Sequence, residues 1–307
     1  MRAIVATVLG GPEVLELQEV AEPVAGPGEV LIRVHRAGIN FADIASIKGT
    51  YAQAPKPPFV PGLEVSGHEV LSGRPVAAIV ASGGYADVVA ADRRMTWDAE
   101  GLDLDEAAGW PLVTQTAYHA LAHMARLREG DVVLVTAAAG GLGSALVMTA
   151  RALGAGRVIG VASTDEKRRR VLALGADEAI AYDAAVPPAD ILVDTVGGEG
   201  FAGLLAALRP FGRAVLLGST SGAAQEIPGV GPLRLKGIGV MPFSLGAYRA
   251  GHPDAFAATA AAGWQLARSG QVRPPVGAVH QLADAGAALH ALASRATTGK
   301  LLLAVGG

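Results

Sequence analysis

The residues best suited to chemistry lie in Ala138, Gly140 and Gly143, at the spacing of a glycine dinucleotide fingerprint with alanine in the first place. They fall in the turn Ala139-Gly140-Gly141-Leu142-Gly143, after the apolar run Val132–Thr136 and before SALVMTARAL (Ser144–Leu153), a strong helix former. In that strand–turn–helix context the backbone can approach a pyrophosphate, and the helix N-terminus offers N–H groups to it. Alanine at 138 fits provided its φ stays negative. The position about 20 residues on, where a carboxylate would bind an adenine ribose hydroxyl, holds Ser163 and Thr164, followed by Lys167 and Arg168. Hydroxyl and ammonium suit a 2′-phosphate, which a carboxylate would repel, so NADPH is expected over NADH. Asp165 and Glu166 read as capping and first-turn charge on the next helix.

Other chemistries fit less well. The chain has no cysteine, which removes disulfides, thiolate zinc sites, iron–sulfur clusters and cysteine nucleophiles. His119 and His123 share a helical face without a His-Glu-x-x-His pattern, and read as core or surface residues. Gly218–Gly222 places threonine at the centre of a would-be nucleophile elbow. Gly299-Lys300 lacks the upstream glycine of a phosphate-binding loop.

The elements that would position these residues change character along the chain. Residues 1–110 read as short strands: Ala3–Thr7, Val14–Val20 and Glu29–His35, the last alternating apolar Val30, Ile32 and Val34 with other residues. Pro27-Gly28 and Pro61-Gly62 mark turns, and the whole suggests a small barrel. Helices are predicted at Leu104–Ala108 and Thr114–Leu127. From Asp131 the rhythm becomes strand–helix–strand. Strands are expected at Val132–Ala137, Val158–Ala162, Ala179–Tyr182, Ile191–Asp194, Ala214–Leu217 and Gly237–Met241. Helices are expected at Ser144–Leu153, Asp165–Leu174 and Gly200–Leu208. That alternation predicts a doubly wound parallel sheet of the Rossmann kind. The tail, with helices at Pro253–Ser269 and Ala283–Ala296 and a strand at Lys300–Val305, is expected to return to the first domain.

The 307 residues allow two domains, and 51% hydrophobic with 17% charged residues supports sizeable cores. A net charge of −3 without long like-charge blocks argues against nucleic acid as a partner. No apolar run reaches the roughly 18 residues of a membrane span, and no secretory leader is visible, so a cytoplasmic protein without a membrane partner is expected.

A set of local motifs then becomes specific in combination: AGINFAD (Ala37–Asp43), PGLEVSG (Pro61–Gly67), QTAYHAL (Gln115–Leu121), VTAAAGGLG (Val135–Gly143), VDTVGG (Val193–Gly198), LGSTSG (Leu217–Gly222) and SRATTGK (Ser294–Lys300). Over nearly its whole length the chain resembles the zinc-independent quinone oxidoreductase (zeta-crystallin-like) branch of the medium-chain dehydrogenase/reductase superfamily. The resemblance implies an α/β fold in which a Rossmann doubly wound parallel sheet (111–250) is inserted in a GroES-like β-barrel substrate domain (1–110 plus 251–307). It implies NADPH in the cleft between them, and a homodimer. Carried over by position, Ala139, Gly140, Gly141 and Leu142 form the pyrophosphate turn. Ser163, Lys167 and Tyr182 surround the 2′-phosphate, and Gly218, Ser219 and Ser221 lie along the nicotinamide ribose. Asn40 and Thr116 lie near the nicotinamide, and Arg295 is a further cofactor contact. Metal-dependent relatives carry cysteine in place of Asn40 and histidine in place of Leu63, so no metal site is expected; His68 in Gly67-His68-Glu69 lies several residues late for one.

The implied activity is metal-independent reduction of a quinone or related conjugated carbonyl, a small-molecule electron acceptor, by hydride transfer from NADPH. In this reading Asn40 orients the nicotinamide or the acceptor oxygen. Tyr51 lines the acceptor pocket and donates a hydrogen bond to developing oxyanion charge, while Asp43 holds the local loop. Reduction of an enone or enoyl-thioester on the same fold, and a non-enzymatic NADPH-binding role, stay open as alternatives. Three features depart from the family pattern: Ala45 where a tyrosine is frequent, a shortened His68–Val76 segment, and Pro242-Phe243 where Arg-Pro is expected before Ser244-Leu245.

Overall fold

The computed structural model describes residues 1–223 and 225–306, which form two compact units. Unit 1 comprises Met1–Val113, Arg249–Arg268 and Pro274 onward; unit 2 comprises Thr114–Tyr248 and Ser269–Arg273. Unit 2 begins at Thr114 and takes in Ser269–Arg273.

Unit 1 opens with the antiparallel pair β1 (Arg2–Ala6) and β2 (Leu15–Glu19). Strand β3 spans Glu29–Ile39, and the buried Val30, Ile32 and Val34 carry the predicted alternation. It continues past His35 because a bulge between Val34 and Arg36 keeps Ala37–Ile39 in register with a later strand. Helix α1 (Phe41–Ile47), absent from the sequence reading, follows at once. Next come β4 (Glu64–Glu69), β5 (Pro75–Ile79), β6 (Val88–Asp92), β7 (Thr96–Asp98), and the short α2 (Leu104–Ala107). The β4–β5 connection is tight, closed by Glu69 N–H to Arg74 O at 2.9 Å and Gly73 N–H to Glu69 O at 2.8 Å. Helix α3 runs over Pro111–Tyr118 and gives way to a π-helical stretch at His119–Met124, where one continuous helix was expected.

In unit 2 the strands are β8 (Val132–Val135), β9 (Arg157–Val161), β10 (Glu178–Ile180), β11 (Ala189–Asp194), β12 (Leu208–Leu216) and β13 (Gly239–Pro242). They alternate with α4 (Gly141–Ala152), α5 (Asp165–Ala173), α6 (Phe201–Ala206) and α7 (Val230–Lys236). All six strands are parallel, in the order β10-β9-β8-β11-β12-β13, the doubly wound arrangement the alternation predicts. Leu134, Ile159, Leu192 and Phe201 centre its core. The last strand starts at Gly239, later than expected, because Gly237 takes the left-handed conformation that ends α7 (φ +66).

Helix α8 (Leu245–Gly251) leads to α9 (Pro253–Arg268), β14 (Val276–Gln281), α10 (Ala285–Ala293) and β15 (Lys300–Ala304). Strand β15 pairs antiparallel with β3 and parallel with β14, so the tail does complete the first unit's sheet, in the order β14-β15-β3-β4-β5-β7 with β6 also on β3. Its core joins Ile32, Val65 and Tyr85 from the N-terminal part to Leu289, Leu301 and Leu303.

Candidate nucleotide edge and acceptor site

Parallel strands place the loops after β8, β9, β10, β11 and β12 at one edge of the unit 2 sheet. Those loops and the first turns of the helices that follow them carry Ala139–Leu142, Ser163 with Lys167, Tyr182, and Gly218–Ser221, so the structure brings these sequence-predicted residues to a common edge. Thr116 sits half-buried on α3.

The turn differs from its sequence reading in one respect. Helix α4 starts at Gly141 with Gly140 as its N-cap, so Gly141 and Gly143 belong to the first helical turn and not to a loop ahead of it. Gly143 is required by packing: a Cβ there would strike the Ala137 carbonyl oxygen and lie 2.6 Å from Ala138 Cα. Ala138 keeps a negative φ, as its side chain demands, and the left-handed conformation falls on Ala137 (φ +48). Room for the Ala138 methyl comes from Gly160, whose own Cβ would lie 2.8 Å from it. The first-turn N–H groups of α4 have no intrahelical partners by geometry, which makes this the anion-binding end of the helix.

Ser163 is exposed and Lys167 half-buried in the first turn of α5. Thr164, not Asp165, is the cap, accepting from Lys167 N–H at 3.2 Å. Asp165 and Glu166 are engaged by Arg168 and Arg170. The Tyr182 hydroxyl accepts a 3.0 Å hydrogen bond from Ala137 N–H, which ties that ring to the glycine turn. Beyond β12, Gly218 faces open space, while the Ser219 and Ser221 hydroxyls donate to the Ala223 carbonyl.

The sequence missed what holds this edge together. Asp194, fully buried at the end of β11, accepts from Thr136 Oγ1 at 2.8 Å, Val196 N–H at 3.2 Å, Gly197 N–H at 2.9 Å and Gln225 Nε2 at 3.1 Å. One carboxylate thus fixes the loops after β8 and β11 and reaches the segment after β12. The clue was an acidic residue ending an apolar strand in VDTVGG.

In unit 1, Asn40 caps α1 within a buried polar network. Lys300, 2% exposed, donates to Ile39 O at 2.9 Å, Asn40 Oδ1 at 2.8 Å and Glu64 Oε1 at 2.6 Å. Glu64, 0% exposed, also accepts from Asn40 Nδ2 at 2.9 Å and from Leu112 N–H at 2.8 Å through its other oxygen. Asn40 Nδ2 makes a second contact to Gly38 O at 3.3 Å. Gly38 has to be glycine, because a Cβ would strike the Glu64 side chain. Every ammonium proton of Lys300 therefore has a partner, as a buried ion pair requires.

Next to it, Asp43 Oδ2 accepts from Asn40 N–H at 2.7 Å and from the Tyr85 hydroxyl at 2.8 Å, the loop-holding role expected of it. Its Oδ1 is buried without a hydrogen-bond partner among the described residues. Burial pushes the Asp43 carboxyl up to about 7, against the opposing pull of its Tyr85 and Asn40 hydrogen bonds. Burial likewise raises Tyr85, with the Asp43 charge adding to it.

Tyr51, half-buried after α1, has no hydrogen-bond partner for its hydroxyl among the described residues. Burial raises its phenol, Arg249 pulls it down and Asp43 pushes it up. Arg295 is exposed after α10 in the left-handed conformation (φ +59). His68 is exposed, and His119 is a core residue: burial lowers it to about 4, so it is neutral, with Nδ1 on Gln115 O at 2.8 Å. No group of three or more metal-ligating side chains occurs among the described residues. Nor is any described helix long and apolar enough to cross a membrane.

Comparison with known proteins agrees with this architecture. Residues 26–100 match the alcohol dehydrogenase GroES-like domain family, and residues 141–261 the zinc-binding dehydrogenase family. Quinone oxidoreductase-like protein 2 from Mus musculus is 33% identical over 99% of this chain and 92% of its own. A quinone oxidoreductase from Thermus thermophilus, solved alone and in complex with NADPH, is 40% identical with a TM-score of 0.87, covering 99% of this chain and all (100%) of that one. The Escherichia coli quinone oxidoreductase complexed with NADPH is 27% identical with a TM-score of 0.89, over 99% and 100% of the two chains.

Proposed function

Because the chain belongs to the quinone oxidoreductase branch of the medium-chain dehydrogenase/reductase superfamily, we propose that it uses NADPH to reduce a quinone or related conjugated carbonyl, without a metal. The observation that carries the cofactor half is the hydrogen bond from Ala137 N–H to the Tyr182 hydroxyl. It sets a phenol against the glycine turn, on an edge where the end of β9 offers Ser163 and Lys167 and no unpaired carboxylate. The residues fit a phosphate-bearing dinucleotide: Gly140 and Gly141 open α4 without side chains, and Gly218 leaves its surroundings clear.

NADPH, when bound, supplies the hydride. The protein's own part is to bind, orient and stabilise. The first-turn N–H groups of α4 take the pyrophosphate; Ser163, Lys167 and Tyr182 take the 2′-phosphate. Gly218, Ser219, Ser221 and Thr116 border the nicotinamide half. Asn40 has both amide protons committed within its network, but its Oδ1 keeps a second lone pair beside Lys300. It therefore suits the nicotinamide carboxamide as an acceptor, and does not suit donation to the acceptor oxygen. Tyr51, whose hydroxyl has no partner among the described residues, takes the donor role. Glu64 and Lys300 hold Asn40 in place.

The donor set also favours chemistry without zinc. Asn40 and Leu63 cannot ligate it as cysteine and histidine do, and the chain has no thiolate.

The test is NADPH oxidation with a panel of ortho-quinones, para-quinones, enones and crotonyl-CoA. Turnover is expected with quinones, and a preference for NADPH over NADH that Lys167→Ala erodes. Tight NADPH binding with no turnover of any acceptor would refute the reading.

A further inference from the structure

The segment after β12 turns back on the sheet edge, and one side chain ties it down. Both amide protons of Gln225 are committed: Nε2 donates to Gly218 O at 2.5 Å and to Asp194 Oδ2 at 3.1 Å. Three backbone bonds seat the same segment against the end of β11. Leu217 N–H donates to Asp194 O at 2.9 Å, Thr220 N–H to Thr195 O at 3.0 Å and Ser221 N–H to Val196 O at 3.0 Å. The approach leaves no room for a side chain at Gly197 (φ +67), where a Cβ would lie 2.8 Å from Ala223 O and 3.2 Å from Gln225 Cδ.

These contacts join two ends of the nucleotide edge. Asp194 Oδ1 accepts from Thr136 Oγ1 at 2.8 Å, and the next residue, Ala137, donates its N–H to the Tyr182 hydroxyl. An unbroken chain thus runs from the Gly218 carbonyl through Gln225, Asp194 and Thr136 to the glycine turn. Asp194 is fully buried, so a donor lost from it is not replaced by bulk water without cost. The requirement at position 225 is narrow. The bridge takes two donors on one terminal nitrogen, one for a carbonyl and one for a carboxylate. A glutamate has the length but no donor when ionised, and it would face Asp194 with like charge. An asparagine has the donors but is one carbon shorter.

We propose that Gln225 is a positioning residue for the nicotinamide half of the cofactor: through Gly218 and Asp194 it holds the loop of Gly218, Ser219 and Ser221 in fixed register with the pyrophosphate turn. This rests on the reading of the protein as one that binds NADPH. A dinucleotide spans both loops at once, so its affinity carries the cost of ordering one against the other. With the Gln225 bridge in place, folding has already ordered them. A ligand confined to the adenosine end reaches the glycine turn and the residues after β9 and β10, and gains nothing from Gln225.

The test is calorimetric titration of the full-length protein with NADPH and with adenosine 2′,5′-bisphosphate, which carries the adenosine end alone. The wild type is expected to bind both. Gln225→Ala should raise the Kd for NADPH about tenfold, the scale of one hydrogen bond to a charged group, and leave the bisphosphate unchanged. Gln225→Glu should weaken NADPH further than Gln225→Ala, although it keeps the size of the side chain. Amide hydrogen exchange without nucleotide should quicken at Thr220 and Ser221 in both variants. Equal weakening of the two ligands makes Gln225 a structural residue only and overturns the proposal, as does a Gln225→Glu protein that binds NADPH like the wild type. If Gln225→Glu fails to fold, Gln225→Met removes the donors at similar volume and is expected to match Gln225→Ala on both ligands; wild-type affinity in Gln225→Met overturns the proposal equally. A wild type that binds neither nucleotide refutes the cofactor reading itself, while the exchange rates judge the Gln225 bridge without any ligand.

Discussion

Lys300→Met tests whether the polar network of unit 1 is one energetic unit. The substitution removes three hydrogen bonds, to Ile39 O, Asn40 Oδ1 and Glu64 Oε1, and leaves Glu64 charged in a fully buried position. Breaking a buried pair from one side costs about 3–5 kcal/mol, because the remaining charge is uncompensated. For a domain of this size each kcal/mol is worth about 2–4 °C, so Tm should fall by roughly 6–20 °C. The partner variant is Glu64→Gln, whose amide still offers an acceptor to Leu112 N–H. Combining the two removes the stranded charge, so Lys300→Met/Glu64→Gln should be more stable than the sum of the single losses by about 1–3 kcal/mol. The assay is urea unfolding followed by tryptophan fluorescence. All three tryptophans, Trp97, Trp110 and Trp264, lie in unit 1, so the signal reports the unit that carries the network. A loss below about 1 kcal/mol for Lys300→Met would mean that the pair is solvated like a surface bridge. Strictly additive losses would mean that the groups do not act together. Either result refutes the reasoning.

Two more predictions follow from the packing and the buried carboxyl. Gly160→Ala sets a new methyl against Ala138 and Val171, so it should cost about 1–3 kcal/mol through overpacking and weaken NADPH binding measured by quenching or calorimetry; unchanged affinity would detach Ala138 from the turn's geometry. Asp43 has a folded-state pKa of about 7 against 3.8 for the free side chain, so between those values the folded protein binds more protons than the unfolded one. Its contribution is therefore complete below about 4 and is lost as pH rises through 7, an effect on the order of 4 kcal/mol. Asp43→Asn should gain stability relative to wild type between pH 5 and 8 in unit 1 unfolding, and a parallel pH profile for both proteins would exclude it.

The fold was legible because it rests on local periodicity. The alternation in EVLIRVH, the apolar strand cores and the glycine turn each need only a few neighbouring residues to be read. The network at Asn40 was not, because its partners lie far apart: Lys300 is 236 residues from Glu64, and each sits among apolar neighbours. Read alone, Asn40 is a polar residue ahead of a helix, and its amide protons look free for a ligand. Only the third dimension commits them. Likewise the sequence located a tolerable alanine at 138, but the backbone conformation that makes it tolerable falls on Ala137, and the space it needs is left by Gly160.

The buried charges of unit 1 are balanced within the chain itself. The Lys300 ammonium is surrounded by a carboxylate oxygen, an amide oxygen and a backbone carbonyl at 2.6–2.9 Å. That is a cation in an oxygen cage, and the cation is covalently part of the chain. Asn40 serves it as an oxygen ligand where a metal-dependent relative would present sulfur. The Glu64 charge is matched by Lys300, and the neighbouring Asp43 is near its point of half-protonation at neutral pH, so its charge does not demand a full counter-ion. Local charge balance is thus reached within the chain itself.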